Sequence, residues 1–148
     1  MIKEFFKDKV EYDFLSNKKW IEHLTEYEDN LSPYILKSMP HIINVHHIWI
    51  YRVQQKKQES FTWDLLPIDF WLKLAQENYL QTIEFLEDID FEEKINYHDE
   101  EGVEMERETI DILYHILQHN TYHRGQIAHE LRSMNLPVPV FNFISYTS

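Results

Sequence analysis

Four stretches of about 20 residues or more carry apolar side chains at the three- and four-residue spacing of a helix face, and almost nothing interrupts them. The 148 residues contain two glycines, Gly102 and Gly125. The first stretch runs from about Ile2 to Tyr27, with Phe5, Phe6, Val10, Phe14, Ile21 and Leu24 giving most of its stripe. The second runs from about Ser32 to Gln54, where Ser32-Pro33 suits an N-cap and first helical position, and Pro40 predicts a kink or a late start. A polar loop, Gln54 to Ser60, and a short aromatic piece, Phe61-Thr62-Trp63-Asp64, follow. A third helix is expected from near Pro67, with Leu72, Leu74, Tyr79, Ile83 and Leu86 facing inward, and a fourth from about Thr109 to Met134. Between them, Lys94 to Met105 reads as a small hairpin turning at Gly102. After Leu136, Pro137 and Pro139 predict an extended tail packed across the helices. Helices of this length with one long connection predict an all-α, antiparallel four-helix bundle with a small β-hairpin before the last helix, one domain over residues 1–148.

Charge and composition narrow the function. The formal net charge is -12, against nucleic acid and against an anionic membrane surface, since both need clustered Lys and Arg. There is no cysteine, so disulfides, thiolate ligands and a cysteine nucleophile are excluded, and any thiol must arrive with a substrate. The first residues are too charged for a signal peptide, and no run approaches the roughly 20 apolar residues of a membrane span. The expected location is the cytoplasm.

Nine histidines are many for this length. His119 and His123 stand four apart in the fourth helical stretch, on one face at about 100° per residue, with Ile112, Ile116 and Ile127 on the same side. Leu113, Leu117, Ala128 and Leu131 form a second apolar stripe, so this helix is expected to be buried broadly, with both imidazoles inward. A lone inward histidine is usually a hydrogen-bonded core residue. Two neutral rings on one buried face each need a partner, and a metal ion serves both. His115 continues the ladder, but it lies about 12 Å from His123 along the axis, too far for one ion bound at about 2.0–2.1 Å to each nitrogen. Either His115–His119 or His119–His123 can therefore chelate, and the grouping with Ile112, Ile116 and Ile127 favours the latter. A further ligand must come from elsewhere: His23 in the first helix, or His41, His46 or His47 in the second. His41 shares a face with Val45, Ile48 and, less centrally, Trp49, which favours it over His46 and His47. His98 and His129 read as solvated.

His119-Asn120-Thr121-Tyr122-His123-Arg124-Gly125-Gln126 closely resembles the motif ending the last helix of the DinB/YfiT-like metal-binding four-helix bundles (the DinB superfamily). His41, eight residues before Trp49, is similar to that family's second-helix ligand, and the hairpin and Pro-containing tail match as well. The resemblance covers essentially the whole chain. It implies a site of His41, His119 and His123, a divalent ion (zinc or nickel most often), a homodimer, and in some members thiol-dependent transferase or isomerase activity with low-molecular-weight thiols. The tail departs from the family's frequent Pro-Pro-x-Thr-Asp, reading Val138-Pro139-Val140-Phe141-Asn142; if those positions shape the mouth of the site, the substrate class differs.

Three imidazoles with an open position make the arrangement of a catalytic rather than a structural metal. The expected function is a divalent-metal-binding protein acting as a metal-dependent enzyme of thiol S-transferase type on a small-molecule substrate. A metal-dependent hydrolase and a non-catalytic metal- or small-ligand-binding module are the alternatives. Arg124 is expected either to pair with an acid or anionic substrate or to make a salt bridge on the helix surface. Tyr122 and Gln126 are expected as donors to the ligands or as packing. Gly125 is expected to permit close approach by the second helix or the tail, or to mark a kink. Trp20, Trp49, Trp63 and Trp71 are read as core or loop packing.

Overall fold

A computed structural model describes residues 1–146. Helix α1 spans Ile2–Glu26, α2 Pro33–Val53, α3 Trp71–Glu87 and α4 Thr109–Ser133; strands β1, Lys94–His98, and β2, Glu104–Glu108, separate α3 from α4. The fold is the antiparallel four-helix bundle with a hairpin before the last helix that the apolar spacing predicts. α1 packs chiefly against α3, and α2 against α4. Among the described residues no helix is long and apolar enough to cross a membrane.

Ser32 caps α2 as expected, its hydroxyl accepting from the Ile35 N–H at 3.3 Å with Pro33 in the first turn. The helix does not restart at Pro40; it runs through it, and Pro40 lies buried within the core. α3 begins at Trp71 after a short 3₁₀ turn, Ile68–Phe70. Its buried line is Trp71, Ala75, Asn78, Thr82 and Leu86, so Leu72, Leu74, Tyr79 and Ile83 flank the core rather than fill it. In α1, Phe5 is likewise 53% exposed, one position off the buried line that begins at Phe6 and Val10.

The reason for both shifts is a polar layer across the bundle. Asp13, Ser16 and Asn17 of α1, His46 of α2, Asn78 and Thr82 of α3, and Asn120 and Arg124 of α4 are all buried. Apolar clusters lie beyond them: Trp20, Leu24, Ile35, Trp71 and Leu131 in one, Phe6, Val10, Leu86 and Leu113 in another. Most of their polar atoms are paired in place, as buried polar groups usually are, although Asn120 Oδ1 has no partner. Asn78 donates to the Ile43 carbonyl at 3.0 Å, and Thr82 donates to the Asn78 carbonyl at 2.7 Å while standing 2.9 Å from His46 Nε2. That hydroxyl is therefore the acceptor for His46, which carries its proton on Nε2.

The hairpin pairs Lys94 with Glu108 through His98 with Glu104, and Gly102 supplies its turn at φ +80. Ile95 anchors it, buried against Ile50, Val53, Ile112 and Ile116. The tail lies along α1: Lys19 donates to the Val140 carbonyl at 2.8 Å, His23 to the Pro137 carbonyl at 2.6 Å, and Phe141 stacks on Tyr12 at 5.3 Å.

Candidate metal centre

α2 and α4 bring three imidazoles together. His119 and His123, one turn apart on α4, have ring centroids 4.4 Å apart; His41 of α2 lies 4.9 Å from the first and 4.6 Å from the second. One ring nitrogen from each lies within 4.8 Å of the others, so the group can hold a metal ion.

The tautomer of His41 follows from its neighbours. Its Nδ1 sits 2.8 Å from the Thr62 carbonyl, which only accepts, so Nδ1 carries the proton and Nε2 the lone pair. That Nε2 is 3.2 Å from Nε2 of His119. Two ligands at about 2.0–2.1 Å around a tetrahedral ion sit about 3.3 Å apart, close to this separation. His119 Nδ1 is buried with no hydrogen-bond partner. Whichever tautomer the ring takes, that nitrogen goes unpaired, and the ring's polar contact runs through Nε2, which faces the lone pair of His41 Nε2 where a shared cation would sit. The donor set therefore fits a divalent ion.

Burial sets the charge state. His119 is pushed down to about 3, mainly by desolvation and then by repulsion from His123, His41 and His115. Desolvation also lowers His41, opposed by its bond to Thr62 and by Glu100, and lowers His123, with repulsion from His41 added and Gln126 opposing. All three favour the neutral imidazole that metal ligation requires.

The short aromatic loop completes the site. Asn44, three residues beyond His41, donates to the Asp64 carbonyl at 2.8 Å, and the Phe61 N–H donates to the Asp64 carboxylate at 2.9 Å. The loop so fastened brings the Thr62 carbonyl to His41 and lays Trp63 flat on the ring, 3.7 Å between centroids and 9° between planes. From the sequence Trp63 reads as packing, and neither Thr62 nor Asn44 stands out. A buried Asn one turn from an inward His was the available signal.

The remaining histidines lie outside the group. His115 is exposed, edge-on to Trp49 at 5.4 Å. His46 is buried and bonded to Thr82, His47 lies 4.1 Å from the Tyr51 ring, His23 binds the tail, and His98 and His129 are exposed. Arg124 makes no surface salt bridge. It is 5% exposed and donates from Nη1 to Asp13 Oδ1 at 2.8 Å and Asn17 Oδ1 at 2.6 Å, and Asn120 donates to the other Asp13 oxygen at 2.8 Å. The acid it pairs with is thus in the chain, one helix away, and its guanidinium is committed. Nothing lies within 4 Å of a Cβ built on Gly125, so close approach is not why glycine stands there. Tyr122 packs edge-on to His123 at 5.2 Å and accepts from Gln126 at 2.9 Å, and Gln126 accepts from Tyr34 at 3.2 Å.

A cavity of about 250 Å³ opens beside His41 and His119, walled by Trp49, Arg52, Tyr97 and Glu100. No tail residue among those described lines it, so the altered Val138–Asn142 stretch is remote from this mouth. No curated protein matches the chain. A family model does: that of the DinB family, over residues 14–148.

Proposed function

The chain belongs to the DinB family, and from that premise we propose that it is a divalent-metal-binding protein whose three-histidine site activates a small-molecule thiol for S-transfer. The observation that carries this reading is the meeting of three desolvated imidazoles, two of which, His41 and His119, line an accessible cavity. His41, His119 and His123 would hold the ion, zinc or nickel by the resemblance of the motif. When bound, such an ion supplies the positive charge that deprotonates a thiol near neutral pH.

The chain's own residues prepare for that. The Thr62 carbonyl keeps the His41 proton on Nδ1, and Trp63 holds the ring in plane. No Asp, Glu or fourth His joins the group among the described residues, which leaves a coordination position for a ligand from outside. Val45 and Ile48 give the cavity an apolar wall, which strengthens electrostatic interactions at its inner end. With no cysteine in the chain, the site faces no competing thiolate of its own.

Metal-loaded protein given a small thiol and monochlorobimane should form the thioether, sulfur displacing chloride, faster than the same protein stripped by a chelator. Equal rates would overturn the S-transfer reading and favour the non-catalytic metal-binding one.

A further inference from the structure

Arg52 is a cation held by aromatic rings rather than by an acid. It lies eleven residues beyond His41 on the same face of α2, about 16 Å along the axis, and long helical side chains lean back towards the N-terminus, here towards His41. Its guanidinium is held over the rings of Trp49, at 4.6 Å, and Tyr97, at 4.9 Å. Among the described residues its one hydrogen bond runs from Nη2 to the His98 carbonyl at 3.2 Å, and no carboxylate lies within ion-pairing distance. A guanidinium has five N–H donors, so most of its donor edge is free in a chain with 26 acidic residues.

Arg52 borders the space beside the imidazoles. Arg52 walls the 250 Å³ cavity together with His41 and His119, and also an adjoining cavity of about 470 Å³ with Thr62, Asp99 and Glu100. Its charge is set against two aromatic rings rather than a carboxylate, and a guanidinium's N–H fork matches a planar carboxylate in bidentate fashion. Asp99 is held by its own turn and makes no ion pair with Arg52: its Oδ1 accepts from the backbone N–H groups of Glu101 and Val103, each at 2.9 Å. Glu100 faces the same space with a negative charge, which suits a monoanionic carboxylate, or one paired with an ammonium, better than a phosphate dianion.

We propose that Arg52 is a specificity-determining clamp for the carboxylate of the small molecule whose sulfur, on the reading above, is presented to His41, His119 and His123. The proposal rests on that reading for what lies at the inner end of the cavity, but the clamp itself needs only the guanidinium.

The test uses cobalt-loaded protein and two thiols that differ in one group, mercaptopropionate and mercaptopropanol, with affinity read from the thiolate-to-cobalt charge-transfer band. Wild type should favour mercaptopropionate by about ten-fold or more, the scale of a charge-assisted hydrogen-bonded pair. Arg52→Gln should bring the ratio to about one, and Arg52→Lys, which keeps the charge and loses the fork, should fall between. A role in merely fastening the hairpin would weaken both thiols alike and leave the ratio intact. A ratio near one in wild type, or an unchanged ratio in Arg52→Gln, overturns the clamp. A second arm titrates propionate into metal-free protein and follows the Arg52 Nε–H resonance by NMR. Saturable binding without cobalt uptake would overturn the metal reading and support the clamp; cobalt uptake without a propionate response would overturn the clamp alone.

Discussion

His41 is oriented by groups that are not themselves candidate ligands. A backbone carbonyl fixes its proton and an indole fixes its plane, and both arrive on a loop whose position depends on Asn44 and Asp64. Trp63 is 51% exposed, so its contribution to the core is small and its contact with the imidazole is its main one. Trp63→Ala should therefore weaken divalent-metal affinity by about two- to ten-fold, the 0.5–1.5 kcal/mol of an aromatic pair. Competition with a metal chelator measures this, and unchanged affinity would show that the stacked indole does not position the ring. Arg124 illustrates the opposite case. Beside the last histidine of the motif, it works away from the site, locking α4 to α1 through Asp13 and Asn17. Removing one member of such a buried pair strands the other, which is why Asn17 and Asn120 add polar contacts around it.

The helices are where spacing arguments hold best. α2 and α4 begin and end close to where Ser32-Pro33 and the apolar repeats place them, and His41, His119 and His123 were legible because an inward imidazole among Val, Ile and Leu is conspicuous. The α3 face was less legible. Its buried line passes through Asn78 and Thr82, and a hydrophobic pattern treats such residues as outward when they are satisfying His46 and a backbone carbonyl inside the bundle. Asp13, Asn17 and Asn120 escaped for the same reason, and Thr62 acts through a carbonyl that every residue has. Of the two readings of Gly125, close approach and a kink, the first does not hold, because the space around it is open. Gly125→Ala should accordingly stabilise α4 by up to about 1 kcal/mol, through reduced freedom of the unfolded chain and better helix propensity. Urea denaturation reads this directly, and a destabilised variant would mean that the glycine serves a backbone geometry the free space does not reveal.

Across the whole molecule, burial of neutral histidines ties stability to pH. His46, fully within the core, is pushed down to about 4 by desolvation, against an ordinary value of 6.5 that an unfolded chain retains. Between those values the unfolded chain binds a proton that the folded chain refuses. The contribution is thus fully present above about pH 6.5 and is lost as pH falls towards about 4, on the order of 3 kcal/mol over the window. Metal-free His46→Gln, whose amide can still donate to Thr82, should lose about 2 kcal/mol less than wild type between about pH 7 and about pH 4.5 by urea denaturation. Equal losses would place the acid sensitivity elsewhere. The bundle as a whole serves to hold one imidazole of α2 against two of α4, and that arrangement is tested most directly by elemental analysis of the purified protein. Wild type and His115→Ala should each carry about one divalent ion per chain, while His41→Ala, His119→Ala and His123→Ala should each lose it. A His119→Ala protein with wild-type metal content, or a His115→Ala protein without metal, would contradict the account.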